Sequence, residues 1–376
     1  MKKLALLIVA IGLFINSNVS QNANTPPDSK RKIQLAILFD TSNSMDGLLD
    51  QAKSRIWNIV NTIAKLEYDN EQPQIEIALY EYGNDGLAQK DGFVRQVSSF
   101  STDLDDISSL LFGLTTNGGS EFCGTVIEKS ITDLKWSQDT RDMKLIYIAG
   151  NEPFNQGVKD YKEVCKLAAV QDIFVSTIYC GDYQKGVQEF WKDGADLGTG
   201  KYFNIDSNKK IQYIKTPYDD SIQKLNEALN KTYIGYGVKG ERKKEQQESE
   251  DMNAVSVAEE NMVERVMSKS SNAYSNSSWD IVDYVKEDYD KLKSIPKKDL
   301  PEEMKSNSLE ENIEFVKQKK NERERIQNNI QALAKKRGEY IQEQSKTNEV
   351  EDDFGKAVSG SILKFANEKN YTKIGG

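Results

Sequence analysis

The sequence predicts an α/β domain with a doubly wound, mostly parallel sheet and one antiparallel edge strand, followed by an α-helical C-terminal region. Three observations carry this. Apolar, β-rich runs alternate with stretches of helical periodicity between residues 33 and 233. The first run, Ile33-Gln34-Leu35-Ala36-Ile37-Leu38-Phe39, is nearly all apolar, as a strand buried on both faces should be. Beyond Gly240 no glycine occurs until Gly338, and Lys, Glu, Gln, Asn and Ser dominate, so the alternation stops.

The elements follow in order. Lys2 and Lys3, the apolar run Leu4 to Ile15 and the small polar residues through Ser20 have the pattern of a cleaved signal peptide, residues 1–20. The run is short for a membrane span, and no later segment is long and apolar enough to be one. Residues 21–32, with Pro26 and Pro27, read as a linker. The strand 33–39 ends at Asp40, and from Leu48 the residues Leu49, Ala52, Ile56, Ile59, Ile63 and Leu66 mark a helix. Strands are expected at Gln74 to Tyr82 and Phe93 to Phe100, the pair forming a hairpin at the sheet edge. A short helix over Thr102 to Leu111, capped by Ser101 or Thr102, comes next. Helices at Thr125 to Leu134, Val158 to Val170 and Tyr218 to Tyr233 alternate with strands at Lys144 to Ile148, Ile173 to Tyr179 and Lys201 to Ile205. The α/β domain thus spans 33–237.

Residues 238–268 read as a polar linker, partly helical or disordered, because their apolar content is low. Residues 269–376 read as helical, with a coiled-coil-like hairpin over 270–345. Its marks are the stripe Trp279, Ile281, Val282, Val285, Tyr289 and Leu292, the capping box Ser308 to Glu311, and Ile313, Val316, Ile326, Ile330, Leu333 and Tyr340 on an otherwise charged helix. Phe354, Val358, Ile362 and Phe365 suggest a last short helix. Self-association through these helices is an open expectation, beside a solvated hairpin within one chain.

Composition removes several functions. The chain has no histidine, so His-based triads, His metal sites and His proton shuttles are excluded. A formal net charge of −9, more negative still without Lys2 and Lys3, disfavours nucleic acid and anionic membrane surfaces as partners. No P-loop, Gly-x-Ser-x-Gly elbow or Gly-x-Gly-x-x-Gly turn follows a strand, and an enzyme is not expected. Cys123, Cys165 and Cys180 fit no zinc spacing; a Cys123–Cys180 disulfide and three unpaired thiols both stay open.

In an open α/β sheet the ligand crevice lies beyond the carboxyl ends of the strands, where the strand order reverses. Asp40 stands there, and Ser42 and Ser44 follow on the same loop. One carboxylate and two hydroxyls are hard oxygen donors of the kind that suit Mg²⁺ or Mn²⁺. The bland reading of the same residues is a helix N-cap loop.

Asp40-Thr41-Ser42-Asn43-Ser44, between a buried strand and an amphipathic helix, resembles the Asp-x-Ser-x-Ser motif of von Willebrand factor A (VWA) domains. The resemblance covers about residues 33–237. It implies a metal-ion-dependent adhesion site (MIDAS) that binds a protein or cell-surface partner; the signal peptide implies that the protein is periplasmic or extracellular. Gly118-Gly119-Ser120 resembles the family's second loop, with Ser120 in place of Thr. The implied metal residues are therefore Asp40, Ser42, Ser44 and Ser120. The third loop departs: Ala149-Gly150-Asn151-Glu152 carries Gly150 where the family has Asp, so Mg²⁺ is expected to bind weakly or not at all unless Asn151, Glu152 or Glu121 supplies an oxygen. Glu121 and Glu152 otherwise read as solvated loop carboxylates, and Ser120 as a cap for the helix after it. The alternatives are a metal-free structural or assembly scaffold in the cell envelope and, further off, a divalent-metal-dependent hydrolase.

Overall fold

The structure, a computed structural model, describes residues 30–45, 48–205, 213–286, 288–347 and 353–374. The expected signal peptide and most of the 21–32 linker lie outside them. The α/β half comprises β1 (Lys32–Asp40), α1 (Leu48–Ile63), β2 (Leu66–Glu67), β3 (Gln74–Tyr82), β4 (Val94–Ser101), α2 (Leu104–Phe112) and α3 (Cys123–Asp133). It continues with β5 (Met143–Gly150), α4 (Tyr161–Val170), β6 (Phe174–Cys180), α5 (Tyr183–Gln188), α6 (Trp191–Leu197), β7 (Thr199–Ile205) and α7 (Asp219–Asn230).

Six strands form one sheet in the order β4-β3-β1-β5-β6-β7. All neighbours are parallel except β3 and β4, which pair antiparallel at the edge as expected. The chain leaves β1 toward β3 and β4 and later returns to its other side as β5. The strand order therefore reverses at β1, and Asp40 sits at the carboxyl end of that strand.

Alternation along β1 splits the core into two layers. Ile33, Leu35, Ile37 and Phe39 face one side with Leu49, Trp57, Val60 and Ile63 of α1 and Leu104, Ile107 and Leu111 of α2. Ala36 and Leu38 face the other, with α3, α4 and Trp191. The sheet therefore separates Cys180, in the first layer, from Cys123 and Cys165, in the second. All three cysteines are free and buried, and the Cys123–Cys180 bridge does not form.

The α2 cap corrects the sequence reading. Asp103, not Ser101 or Thr102, is the N-cap, accepting from the Asp106 amide, while the Ser101 hydroxyl accepts from the Asp103 amide. The short α5 and α6 have too few apolar positions to show a period.

The larger difference lies beyond residue 237. Residues 238–268, expected as a polar linker that is partly helical or disordered, are almost wholly helical: α8 (Gly237–Val257) and α9 (Glu259–Lys269) fold back on one another at Ala258. Ala254, Met262, Val263 and Val266 join the core, but much of what these helices bury is ionic, which is why composition misread them. Arg265, with no exposed surface, donates from Nη1 to Asp105 of α2 at 2.8 Å, from Nε to Asp251 at 2.7 Å and from Nη2 to the Gln247 carbonyl at 3.0 Å. Its guanidinium lies 4.9 Å from the centre of the Trp57 ring. Lys269, also fully buried, donates to Asn226, Asn230 and Asp251.

The hairpin expected over 270–345 is replaced by α10 (Ile281–Val285), 3₁₀ segments at Tyr289–Ser294 and Lys297–Asp299, α11 (Glu302–Lys305) and one long helix, α12 (Leu309–Thr347). Pro296 and Pro301 break periodicity in this stretch. The capping box forms at α12: the Ser308 amide donates to Glu311 at 2.7 Å and the Glu311 amide to the Ser308 hydroxyl at 3.2 Å. The α12 stripe Val316, Arg323, Ile326, Ile330 and Arg337 is buried against α7, α9 and α10 of the same chain. Arg323 clamps Asp280 and Asp283, and Arg337 clamps Asp219 and Glu264.

A last helix, α13 (Asp353–Glu368), packs on α1 and β7, and the strand β8 (Thr372–Lys373) pairs with β2. Phe365 stacks on Phe174 of β6, and the Tyr371 hydroxyl donates to the Lys32 carbonyl at 3.0 Å. One layer of the core thus runs from Ile33 to Tyr371, so the helical extension completes one face of the sheet. Among the described residues no helix is long and apolar enough to cross a membrane.

Candidate functional site

Parallel pairing brings three strand ends together. Asp40 pairs with Tyr82 at the end of β3, and Phe39 pairs with Ala149, one residue before the end of β5. The loop after Asp40 is then pinned on both sides. The Thr41 amide donates to the Tyr82 carbonyl at 2.9 Å, and the Asn117 amide to the Thr41 carbonyl at 3.0 Å. The Ser42 amide donates to Asp40 Oδ1 at 2.8 Å, the local turn that Asp favours. Met45, 1% exposed, anchors the far end in the core.

The motif residues converge along a gradient of exposure. Asp40 is fully buried, Ser42 nearly so, and Ser44 exposed. The Ser42 and Ser44 hydroxyls lie 2.8 Å apart. Ser44 Oγ donates to Asn151 Oδ1 at 3.0 Å, and Asn151 Nδ2 donates to the Ser44 carbonyl at 3.3 Å. The third loop therefore touches the site through Asn151, while Glu152 keeps its side chain exposed. Of Asp40, Ser42 and Ser44, only Ser44 is exposed. Asp40 Oδ2 is buried and has no hydrogen-bond partner.

Ser120 is half-buried and, among the described residues, forms no hydrogen bond with Asp40, Ser42 or Ser44. Nor does it cap α3, whose N-cap position is Phe122. The second loop instead delivers Glu121, which is 4% exposed and within hydrogen-bonding reach of Asp40 and Ser42. A solvated Glu121 is thus ruled out by its burial. Desolvation raises the pKa of both carboxyls, and the charge of Asp40 raises that of Glu121 further. No spacing rule pointed to Glu121. The one sequence signal was its place next to Ser120.

The seat of Gly150 is filled from the protein side. A Cβ there would lie 2.5 Å from the Tyr82 hydroxyl, 2.9 Å from the Trp191 ring and 3.2 Å from Asp40 Oδ2. Tyr82 donates to the Ala149 carbonyl at 3.0 Å, and Trp191 Nε1 to the Glu152 carbonyl at 2.8 Å, so both walls are tied down. Sequence reading singled out neither residue.

Asp40, Ser42, Ser44 and Glu121 form a set of hard oxygen donors, and a partnerless buried carboxylate oxygen suits a Mg²⁺-type cation. Among the described residues no group of three or more His, Cys, Asp or Glu side chains could hold a metal, so hydroxyls are needed to complete this one.

No family model and no curated protein matches the sequence. Solved structures do. The SpRpn10 VWA domain is similar at 17% identity and TM-score 0.37, covering 47% of this chain and 90% of that one. The conserved hypothetical protein BatB from Bacteroides thetaiotaomicron is similar at 16% identity and TM-score 0.36, covering 46% and 90%. Proximal thread matrix protein 1 from the mussel byssus, in a structure described as having a zinc-occupied MIDAS motif, is similar at 13% identity and TM-score 0.35, covering 48% and 43%. At TM-scores this low the α/β architecture stands on the sheet order itself. The solved structures to which the α/β half of this chain is similar include VWA domains.

Proposed function

We propose that the protein is a binding module that recognises a protein or cell-surface partner through a Mg²⁺-type cation at the Asp40 loop, and that it works outside the cytoplasm after losing residues 1–20. The observation that carries this reading is Asp40 Oδ2, a buried carboxylate oxygen without a partner beside the Ser42–Ser44 hydroxyl pair. Leaving such an atom unsatisfied costs about 1–3 kcal/mol or more, and a cation supplies the missing partner. When bound, it offers a coordination position to a carboxylate of the partner. Asp40, Ser42 and Ser44 hold it. Ser120 belongs to the set by resemblance alone. The exposed Ser44 marks the side from which the partner's oxygen enters.

The test is a thermal shift with Mg²⁺ and Mn²⁺ on wild type and Asp40→Ala, followed by partner capture from the native envelope with and without chelator. Stabilisation of the wild type alone, and capture lost in both chelator and Asp40→Ala, is the expected result. A wild type indifferent to both metals would instead leave a metal-free scaffold. The crowded seat of Gly150, which leaves the third loop without a carboxylate there, favours that second reading. On either reading the protein is not an enzyme. A phosphatase and esterase screen with both metals should be negative.

A further inference from the structure

We infer that Glu121 supplies the second carboxylate of the Asp40 cation site and thereby replaces, from the opposite loop, the one that Gly150 cannot carry. This rests on the metal reading above and adds a ligand to it.

The geometry has two halves. On the β5 side, a side chain at Gly150 would enter the Tyr82 hydroxyl and the Trp191 ring. Neither is the free end of a flexible chain, because each is held by a backbone carbonyl. Trp191 is also fully buried, in contact with the Phe154 and Tyr179 rings. A carboxylate therefore does not fit at Gly150 without moving this wall.

On the β3 side, space has been made for one. Gly83 has φ +76°, which glycine adopts without strain. A Cβ there would lie 2.7 Å from Asp40 Oδ1 and 2.8 Å from Glu121 Cγ. Its absence lets the two acidic side chains share that volume. Gly119 then rests on the Gly83 carbonyl so closely that a Cβ would stand 1.9 Å from it. That contact holds the second loop against the end of β3 and carries Glu121 inward.

Glu121 so placed faces Asp40 and Ser42, with Glu152 as a further negative charge nearby. Among the described residues no Lys or Arg forms an ion pair with Asp40 or Glu121. Two carboxyls in contact, buried and without a basic partner, require a proton or a cation between them. The partnerless Oδ2 of the fully buried Asp40 is a separate observation, and it points to the cation. A divalent ion of the hard class satisfies both carboxyls and the serine hydroxyls together.

The experiment is calorimetric titration of the full chain with Mn²⁺ and Mg²⁺, with bound Mn²⁺ counted by electron paramagnetic resonance. Wild type should bind one ion, and Glu121→Gln should bind at least tenfold more weakly. Adding Gly150→Asp to Glu121→Gln should not restore affinity. Equal or tighter binding by Glu121→Gln would overturn the inference and leave the metal reading standing, with Glu121 then a protonated plug. A wild type that binds neither ion would overturn both. Retained affinity in Asp40→Asn would place the ion elsewhere and overturn both. Should Glu121→Gln fail to give the wild-type circular dichroism spectrum, Glu121→Asp serves instead. It keeps the charge on a shorter arm and should weaken binding, and unchanged affinity there counts against the inference.

Discussion

Arg265→Met is the sharpest probe of how the helical extension is fastened. Methionine fills much of the arginine volume, so the loss is chiefly one of charge and hydrogen bonds. Two carboxylates lose a partner, and they are not equivalent. Asp251 keeps Lys269, Asn226 and Asn230. Among the described residues Asp105 keeps only the Tyr274 hydroxyl, at 2.5 Å, and is 2% exposed. Most of the penalty therefore falls on Asp105. Breaking a buried ion pair by removing one member costs about 3–5 kcal/mol. At about 2 °C per kcal/mol for a chain of this size, the melting temperature should fall by roughly 6–10 °C. The assay is urea and thermal unfolding followed by far-ultraviolet circular dichroism, with Asp105→Asn added to complete a double-mutant cycle. Asp105→Asn should recover part of the loss, with a coupling energy of at least ~1 kcal/mol. A single variant within ~0.5 kcal/mol of wild type would refute the claim that these ions hold α9 to α2.

Three further outcomes follow from the same packing. Residues 238–376 expressed alone should lack native helical content by circular dichroism, because their apolar residues share one layer with β1 and α1; a folded fragment would contradict the shared core. Gly119→Ala should be poorly tolerated, since its Cβ would meet the Gly83 carbonyl at φ +142°, a cost of more than ~3 kcal/mol readable as lost soluble expression or a lowered melting temperature. Burial pushes the Asp251 carboxyl up, but Lys269 and Arg265 outweigh it and hold its pKa well below the ordinary 3.8. Its contribution is then present above the unfolded value and lost as pH falls through the folded one, so Asp251→Asn should flatten the acid limb of the stability profile below about pH 4.

Much of the α/β half was legible because its cause is local. An apolar run such as Ile33 to Phe39 has few fates other than a central strand, and the turn at Asp40 follows from what Asp does at a strand end. The convergence of Ser42 and Ser44 was legible for the same reason, since they lie two residues apart on one short loop. Self-contained caps were legible too, as at Ser308 and Glu311.

What sequence could not decide depends on partners far apart in the chain. Glu121 reads as a loop carboxylate until Gly83 and Gly119 bring the second loop down on Asp40. Gly150 reads as a simple loss until Tyr82 and Trp191 are seen to fill its seat. Residues 238–268 read as a linker because hydropathy weighs each residue singly, whereas Arg265 and Lys269 are buried only because Asp105, Asp251 and Asn226 await them. Sequence by itself determined the six strands of the main sheet, most helices of the α/β half and the Asp40 loop, which are local consequences of side-chain pattern. Tertiary structure alone decided which charges lie inside, since an ion enters the core only where the fold has already placed its counter-ion.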